Sequence, residues 1–375
     1  ADEAAGELVA DVRRRTAAEA GLNAAEASAY DAVFQAFDRD EAVRDALLDK
    51  TDADGFRSLY DQFLPDYAGG LFRIMASANE ATGRAIDETE ALLPQRGMRV
   101  WAQEIGVIHR QDLAGTDGFE AGGFGFATGV EATDTPLGAL GLQASFLNVT
   151  VDENGAAAAE KLTGSALSAG GYWRKQMGGL HASAGLTGGY AWLQGDRAVV
   201  DTDAGLTREA SSEWNALTAA AHLGLSYTAE AGRFYAKPLI QADYFYLKED
   251  GRTETGGGEA IDLAIDERTS QQLAAFAGLA LGVRFGDPEA MVWRPEVTVG
   301  YRTLTGDGPD VTTARFVSGG PSFVLAAPEL EDGAAVLRAG IRGQGRYFDL
   351  ALEGGGEVRD DYEAYDARVT ARVVF

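Results

Sequence analysis

The sequence has no cysteine and only three histidines, His109, His181 and His222, in 375 residues. Without cysteine there is no disulfide framework, thiolate metal site or cysteine nucleophile. None of the histidines has an HExxH-like neighbourhood, so no metal and no cofactor is expected. Basic residues are scarce beside acidic ones: 32 Lys and Arg against 58 Asp and Glu leave a formal charge of −26. That sign is wrong for displacing counterions from a phosphate backbone, and nucleic acid is not an expected partner. No apolar run approaches the ~18–20 residues of a membrane helix. The chain begins Ala1-Asp2-Glu3, with no apolar targeting segment, and reads as a processed or truncated product. A soluble globule is what these absences leave, and the residues that are present argue against it.

Glycine is abundant, 48 residues, nearly twice the usual share of roughly 7%. Up to about Gln95 apolar residues recur at helical spacing, as in Tyr30, Val33, Phe34 and Phe37, then Val43, Leu47 and Leu48, then Leu59, Phe63, Leu64 and Tyr67. Asp52, Asp54 and Gly55 mark a break. They match part of a calcium loop, but Lys50 stands at its first ligand position and Asp61 at its twelfth, so a capped helix break is expected. Residues 71–93 predict a helix that Pro94 stops. Its centre carries Ala76, Ser77, Ala78, Ala81, Thr82, Gly83 and Ala85, which makes it slim enough for a narrow space.

From Gly97 the period changes from 3.6 to 2. Phe234, Ala236, Pro238, Ile240, Ala242, Tyr244 and Tyr246 alternate with Arg233, Tyr235, Lys237, Gln241 and Asp243. Tyr365, Ala367, Val369, Ala371, Val373 and Phe375 alternate with Asp366, Arg368, Thr370 and Arg372. Such segments fall near 97–110, 119–132, 137–152, 160–176, 179–196, 212–229, 232–248, 269–286, 291–305, 334–345, 346–359 and 361–375. Sandwich strands average about five or six residues. Long strands with one apolar and one polar face suit a closed antiparallel transmembrane β-barrel of about twelve strands, with lipid outside and a polar lumen. The joins support this. Short ones at Asp134-Thr135-Pro136, Met177-Gly178-Gly179, Glu230-Ala231-Gly232, Asp287-Pro288 and Gly345 alternate with long polar ones at 196–211, 249–268 and 306–333, although the last, near Asp360, is short. Trp101, Trp173, Trp192, Trp214 and Trp293 lie near strand ends, where interfacial girdles sit.

A slim helix, about twelve dyad strands and a terminal Phe375 together resemble the translocator domain of autotransporters, the type V secretion proteins of Gram-negative bacteria. Val100-Trp101-Ala102-Gln103 with Gly106, the glycine-rich stretch Gly122–Gly129 and Trp293-Arg294-Pro295-Glu296-Val297 carry the likeness, which covers residues 71–375. The resemblance implies an outer-membrane barrel at residues 97–375 and a pore-spanning helix and linker at 66–96. Residues 1–65 would be a helical passenger stub or linker at the cell surface. It implies contact with outer-membrane lipid and lipopolysaccharide, and assembly by the barrel-assembly machinery, which would read Val369, Ala371, Val373 and Phe375. A covalently linked passenger, if present upstream, would be a further partner; the sequence departs from the family in that residues 1–70 are too few and too helical for the usual β-helix passenger. The expected function is to carry that passenger to the surface and anchor it, with the pore plugged by the chain's own helix. The alternative is a passive porin with a separate helical N-terminal domain.

Arg284, Arg302, Arg338, Arg342, Arg368 and Arg372 all fall on the polar phase of C-terminal strands, while the helix and its exit carry Glu80, Asp87, Glu88 and Glu90. Two pairings are open: the arginines dock the helix, or they meet strand carboxylates such as Glu296, Asp349 and Glu353. Enzyme chemistry is not expected. There is no GxSxG elbow, Gly123-Phe124-Gly125 lies within a strand, and His109 near Asp112 and Asp117 lacks convergent partners. Asn79-Glu80 lies in the helix where some autotransporters cleave by asparagine cyclisation, but the usual residue pair is absent.

Overall fold

The computed structural model describes residues 13–87, 97–112, 118–154, 160–287, 290–328, 330 and 333–375. Four helices come first: α1 (Ala24–Ala36), α2 (Glu41–Leu48), α3 (Ala53–Asp61) and α4 (Gly70–Asp87). Side chains satisfy the first amides of the three short ones. Asn23 and Glu26 form a reciprocal capping box on α1, the Asp40 carboxylate accepts from the Ala42 and Val43 amides at 3.0 and 3.3 Å, and Asp52 accepts from Gly55 at 2.7 Å. Asp52 is thus a helix cap, as expected of the break at that point. Of the helix expected at 71–93, α4 accounts for the part up to Asp87, and residues 88–93 lie outside the described residues.

Twelve long strands follow: β1 (Met98–Gln111), β2 (Gly118–Thr135), β3 (Gly138–Asn154), β4 (Lys161–Met177), β5 (Leu180–Asp201), β6 (Leu206–Tyr227), β7 (Phe234–Glu249), β8 (Arg268–Val283), β9 (Met291–Gly308), β10 (Gly333–Gly345), β11 (Phe348–Arg359) and β12 (Tyr362–Val374). Each pairs antiparallel with its neighbours in sequence, and β12 returns to β1, with Gln103 opposite Thr370. The sheet is therefore a closed barrel with no free edge. Period-2 alternation sets the faces. On β1, Arg99, Trp101, Gln103 and His109 turn to the lumen while Met98, Val100 and Ile108 face out; on β12, Arg368 and Arg372 are buried inside while Val369, Val373 and Phe375 are exposed outside.

The two ends of the barrel differ. At one, tight turns join strands, as at Gly178, whose φ of 62° only glycine adopts freely. At the other, the joins carry structure the polar composition did not announce. The stretch 196–211, read from sequence as a loop, is mostly strand, because β5 and β6 continue as a hairpin past their neighbours. Residues 252–253, 263–265, 312–316 and 323–325, within the other two expected loops, form a small antiparallel sheet. These pieces have an apolar side, and α1 to α3 cover it. Tyr30, Val33, Phe37, Leu47, Tyr60 and Phe63 share one buried core with Val199, Leu206, Ile261, Leu263, Phe316, Phe323 and Leu325. Polar contacts close the joint: Ser28 Oγ donates to Val324 O at 2.7 Å, Arg197 donates to Gln62 O at 2.8 Å, and the Val200 amide donates to Gln62 Oε1 at 2.7 Å. Residues 13–67 thus form a cap on the long-loop end.

The tryptophan expectation needs correction. Trp192 faces outward at 49% exposure, and Trp173 and Trp293 lie half-buried on the outward phase, but Trp101 and Trp214 are lumen residues. Trp101 Nε1 donates to Tyr172 Oη at 2.8 Å and Trp214 Nε1 to Glu249 at 3.2 Å. Both sit on the inward phase, which proximity to a strand end does not reveal.

Phe63 is fully buried in the cap core, and Phe63→Ala should cost the cap about 3–5 kcal/mol. In lipid vesicles the variant should lose residues 13–67 to limited proteolysis well before wild type, while the barrel keeps its protease resistance and its heat-dependent gel mobility.

Candidate functional site: the occupied lumen

Helix α4 runs through the barrel. Its 18 residues span about 27 Å at 1.5 Å per residue, and two kinds of contact hold it. Toward its start, Leu71, Phe72, Ile74 and Met75 pack on inward-facing Ile105, Val107, Phe119, Val149, Leu162, Leu193 and Phe245. This wall, mostly from β1 to β5, is apolar, so the expectation of a uniformly polar lumen holds only for the rest. The helix comes close because it is slim. A Cβ on Gly70 would lie 2.8 Å from Val151 and 2.9 Å from Phe119, and one on Gly83 would lie 2.6 Å from His222 Nδ1.

Beyond Ala78 the contacts become polar. Gln103 Nε2 donates to Ala81 O at 3.0 Å and Arg372 Nη2 to Ala85 O at 2.7 Å. The second places a guanidinium on a carbonyl near the negative end of the helix dipole. Glu80 accepts from Arg302, whose other nitrogen meets Glu357 at 2.8 Å. Arg84 pairs with Asp366 and approaches Glu353 at 3.6 Å. Asp87 is held by the Ser183 hydroxyl, by Gln241 Nε2 at 2.5 Å and by His222 Nε2 at 2.9 Å. The opposite nitrogen of His222 lies 2.6 Å from Asp243 Oδ1. With a carboxylate at each ring nitrogen, the imidazolium donating from both satisfies the geometry. Gly224 makes room for this group, since a Cβ there would stand 2.3 Å from Asp87 Oδ1.

What the arrangement can do is close a conduit, because Glu80, Arg84 and Asp87 on the helix are each met by a wall group of opposite sign, while Arg73 donates to Pro328 O at 3.1 Å. The sequence profile of the autotransporter beta-domain matches residues 100–348. The chain belongs to the autotransporter beta-domain family. Among solved structures, this autotransporter barrel resembles the translocator domain of the autotransporter NalP from Neisseria meningitidis, with a TM-score of 0.59, 16% identity, and 82% of this chain and 99% of that one covered. It also resembles the beta domain of the Bordetella autotransporter BrkA (TM-score 0.54, 15% identity, 74% and 100% covered) and the transport unit of the autotransporter AIDA-I from Escherichia coli (0.53, 13%, 83% and 100%). At these identities the likeness is one of fold. No curated protein matches in sequence. The protein is an outer-membrane translocator barrel of a Gram-negative bacterium, with an N-terminal helix, and passenger carriage is the role of its family.

The six arginines read from the polar phase do not all serve the helix. Arg302 and Arg372 reach it. Arg342 pairs with Asp349 at 2.9 Å and Arg368 with Glu353 at 2.9 Å, both on the wall. Arg338 lies 5.0 Å over the Phe276 ring and lines a cavity of about 60 Å³ shared with Arg84, Asp87, Glu353 and Arg368. Arg284 lies near the turn end, paired with Glu230 at 2.7 Å, away from the helix. Of the four helix acids, Glu80 meets an arginine, Asp87 meets a histidine, a serine and a glutamine, and Glu88 and Glu90 lie outside the described residues. Sequence reasoning missed Arg84, His222, Asp243 and Asp366. The signal for Arg84 was present: a cation in the helix, with Asp366 on the inward phase of β12. For His222 there was none, since its partners lie on separate elements. Asn79 Nδ2 donates to Met75 O at 2.9 Å, within its own helix.

At the mouth, titratable groups link cap and barrel. Desolvation raises the Asp201 and Asp40 carboxyls, but hydrogen bonds from Lys50 and Arg208, with backbone amide donors and the charge of the two cations, together outweigh it and hold both below their ordinary value. Glu160 moves the other way, up to about 7, through burial and then the charge of Asp66. A lowered acid adds stability that is lost as pH falls below about 4, and a raised acid adds stability that is fully present only below its unfolded value of about 4 and is gone once pH has climbed through about 7. Cap attachment should therefore be firmest at about pH 4 to 5, and amide protection factors in α1 to α3, which discount the intrinsic rise of exchange with pH, should be lower at pH 8 than at pH 5.

Two substitutions test the lumen. Arg302→Met strands the Glu80 carboxylate and leaves Glu357 with Arg359 at 3.2 Å; it should lower stability by about 3–5 kcal/mol, seen as a lower unfolding temperature. His222→Ala removes the bridge between Asp87 and Asp243, and channel openings in planar bilayers should become more frequent than in wild type.

Proposed function

We propose that this barrel carried an N-terminal segment outward through its lumen and now anchors it, with α4 left in place as the closure and no turnover chemistry of its own. Residues 66–96 are the pore-spanning helix and linker, residues 97–375 the translocator, and residues 1–65 the stub or linker of a passenger. The capped, long-loop end faces the medium and the tight-turn end the periplasm, in keeping with the short-turn rule for such barrels. The observation that carries the reading is α4 itself, packed along the lumen and paired with the wall through Glu80, Arg84 and Asp87.

Outward-facing Val369, Ala371, Val373 and Phe375 on β12 are the terminal signal for the barrel-assembly machinery, and lipopolysaccharide is the outer-leaflet partner. Deleting Phe375 should cut the folded, heat-modifiable fraction in the outer membrane several-fold.

The deciding experiment is single-channel conductance of the whole chain against a version lacking residues 1–95. Near silence from the whole chain, with a steady open pore from the truncated one, is the expected result. Equal conductance would make this a porin with a helical attachment. Protease added to intact cells should cut within residues 13–67, and complete protection there would reverse the orientation.

A further inference from the structure

One charge of α4 has no counterpart on the wall. Glu80, Arg84 and Asp87 each meet a group of opposite sign, but Arg73, 6% exposed, meets no carboxylate among the described residues. Its hydrogen bond there runs from Nη2 to Pro328 O, and Nε is buried without a partner. Asp66 attracts it from beyond ion-pair distance, while Arg359 repels it. Its place on the helix adds to the cost. Arg73 stands in the first turn of α4, which carries no acidic residue, so the guanidinium sits at the positive end of the helix dipole, where a cation is disfavoured. A buried charge in this state is strongly destabilising. An anion beside it would remove both penalties.

The fold leaves room for one. β9 runs on to Gly308 beside β8, but β10 begins only at Gly333, opposite Thr303. Between them the chain departs to build the small sheet at 312–316 and 323–325 and comes back through Ala327 and Pro328. Among the described residues no strand covers that side of β9 beyond Thr303. A cavity of about 580 Å³ lies there, bounded in part by Arg73, Gln272, Leu304, Pro309, Pro328 and Leu330, and its volume is in the range of small-molecule sites. Gly69, with φ of 77°, brings the start of α4 against the rim, since a Cβ on it would stand 2.4 Å from Pro309 Cγ. Arg73 is the single charged residue on the described lining.

We infer that this cavity binds a small organic monocarboxylate, its carboxylate on Arg73 and its apolar body against Leu304, Pro309, Pro328 and Leu330. One cation calls for one negative charge. With Nη2 engaged by Pro328 O, the guanidinium still has N–H groups to offer, in the flat geometry a carboxylate matches. Inorganic phosphate carries more charge than one arginine answers and has no body for the apolar side, and an uncharged molecule would leave Arg73 as it is. The site is separate from passenger carriage and does not depend on which end of the barrel faces the medium.

Benzoate is a suitable probe. With the full chain in detergent micelles, isothermal titration should give saturable one-to-one binding of benzoate, and benzyl alcohol and inorganic phosphate should bind about tenfold more weakly or worse. Arg73→Gln should lower benzoate affinity about tenfold or more. It should keep its heat-dependent gel mobility and, without benzoate, unfold at a temperature no lower than wild type, because an unanswered buried charge is gone. Leu304→Trp, which fills the apolar side and keeps the charge, should also abolish binding. The inference is overturned if benzoate does not saturate, if phosphate binds more tightly than benzoate, or if either variant binds benzoate as wild type does. A fall in the unfolding temperature of Arg73→Gln would overturn it as well. That result would show that the chain itself supplies the anion, and Glu329, Glu331 and Asp332, which lie outside the described residues, would be the candidates.

Discussion

In hydrocarbon there is no water to satisfy an amide, and every other feature of this protein follows from that. A sheet in lipid has to close, and closure here brings β12 back onto β1 in continuous register from Arg99 opposite Val374 to Gln111 opposite Tyr362. A closed ring of twelve strands encloses a space that side chains alone do not fill. The helix fills it. Glycine then becomes a requirement of fit on both sides, on the helix at Gly83 against His222 and on the wall at Gly224 against Asp87.

Filling a lumen with a charged helix creates a second problem, since each buried charge has to be answered. The wall answers unequally around its circumference. Early strands present aliphatic side chains to the start of α4, and late strands present paired charges to its second half. The helix dipole is aligned with this division. Its negative end lies beside Arg372, and a helix threaded the other way would bring amides to that guanidinium. Direction of threading is thus written into the wall as well as into the connectivity.

Most of the barrel was legible because lipid imposes a strict dyad rule, and the ends of β1, β3, β8 and β11 come within a few residues of where alternation places them. The rule fails where both phases are apolar. In Phe119, Ala121 and Gly123 the inward residues look no more polar than the outward ones, and an inner apolar wall is invisible to a test of contrast. It also fails past the membrane, where 196–211 reads as loop yet forms a hairpin because α1 to α3 cover it. The arginines were legible as lumen residues but not their partners. A guanidinium on the inward phase meets whichever carboxylate the barrel's stagger sets beside it, and Arg342 found Asp349 on the adjacent strand while Arg302 reached Glu80 on the helix.

The cap core draws on residues from Tyr30 to Phe63 and again from Val199 to Leu325. Each set has aromatic contacts of its own, Phe37 on Phe63 and Phe316 on Phe323, and the two share one core, so the cap is a joint between an early and a later stretch of the chain. It also forms a bulky body directly above a channel one helix wide. Mechanically the protein is a tethered bolt: the covalent join to β1 limits travel in one direction, and the cap, as long as it stays folded, limits it in the other. Withdrawing the helix would mean taking apart a hydrophobic core first, so an occupied lumen is held by the folding of a region that lies wholly outside it.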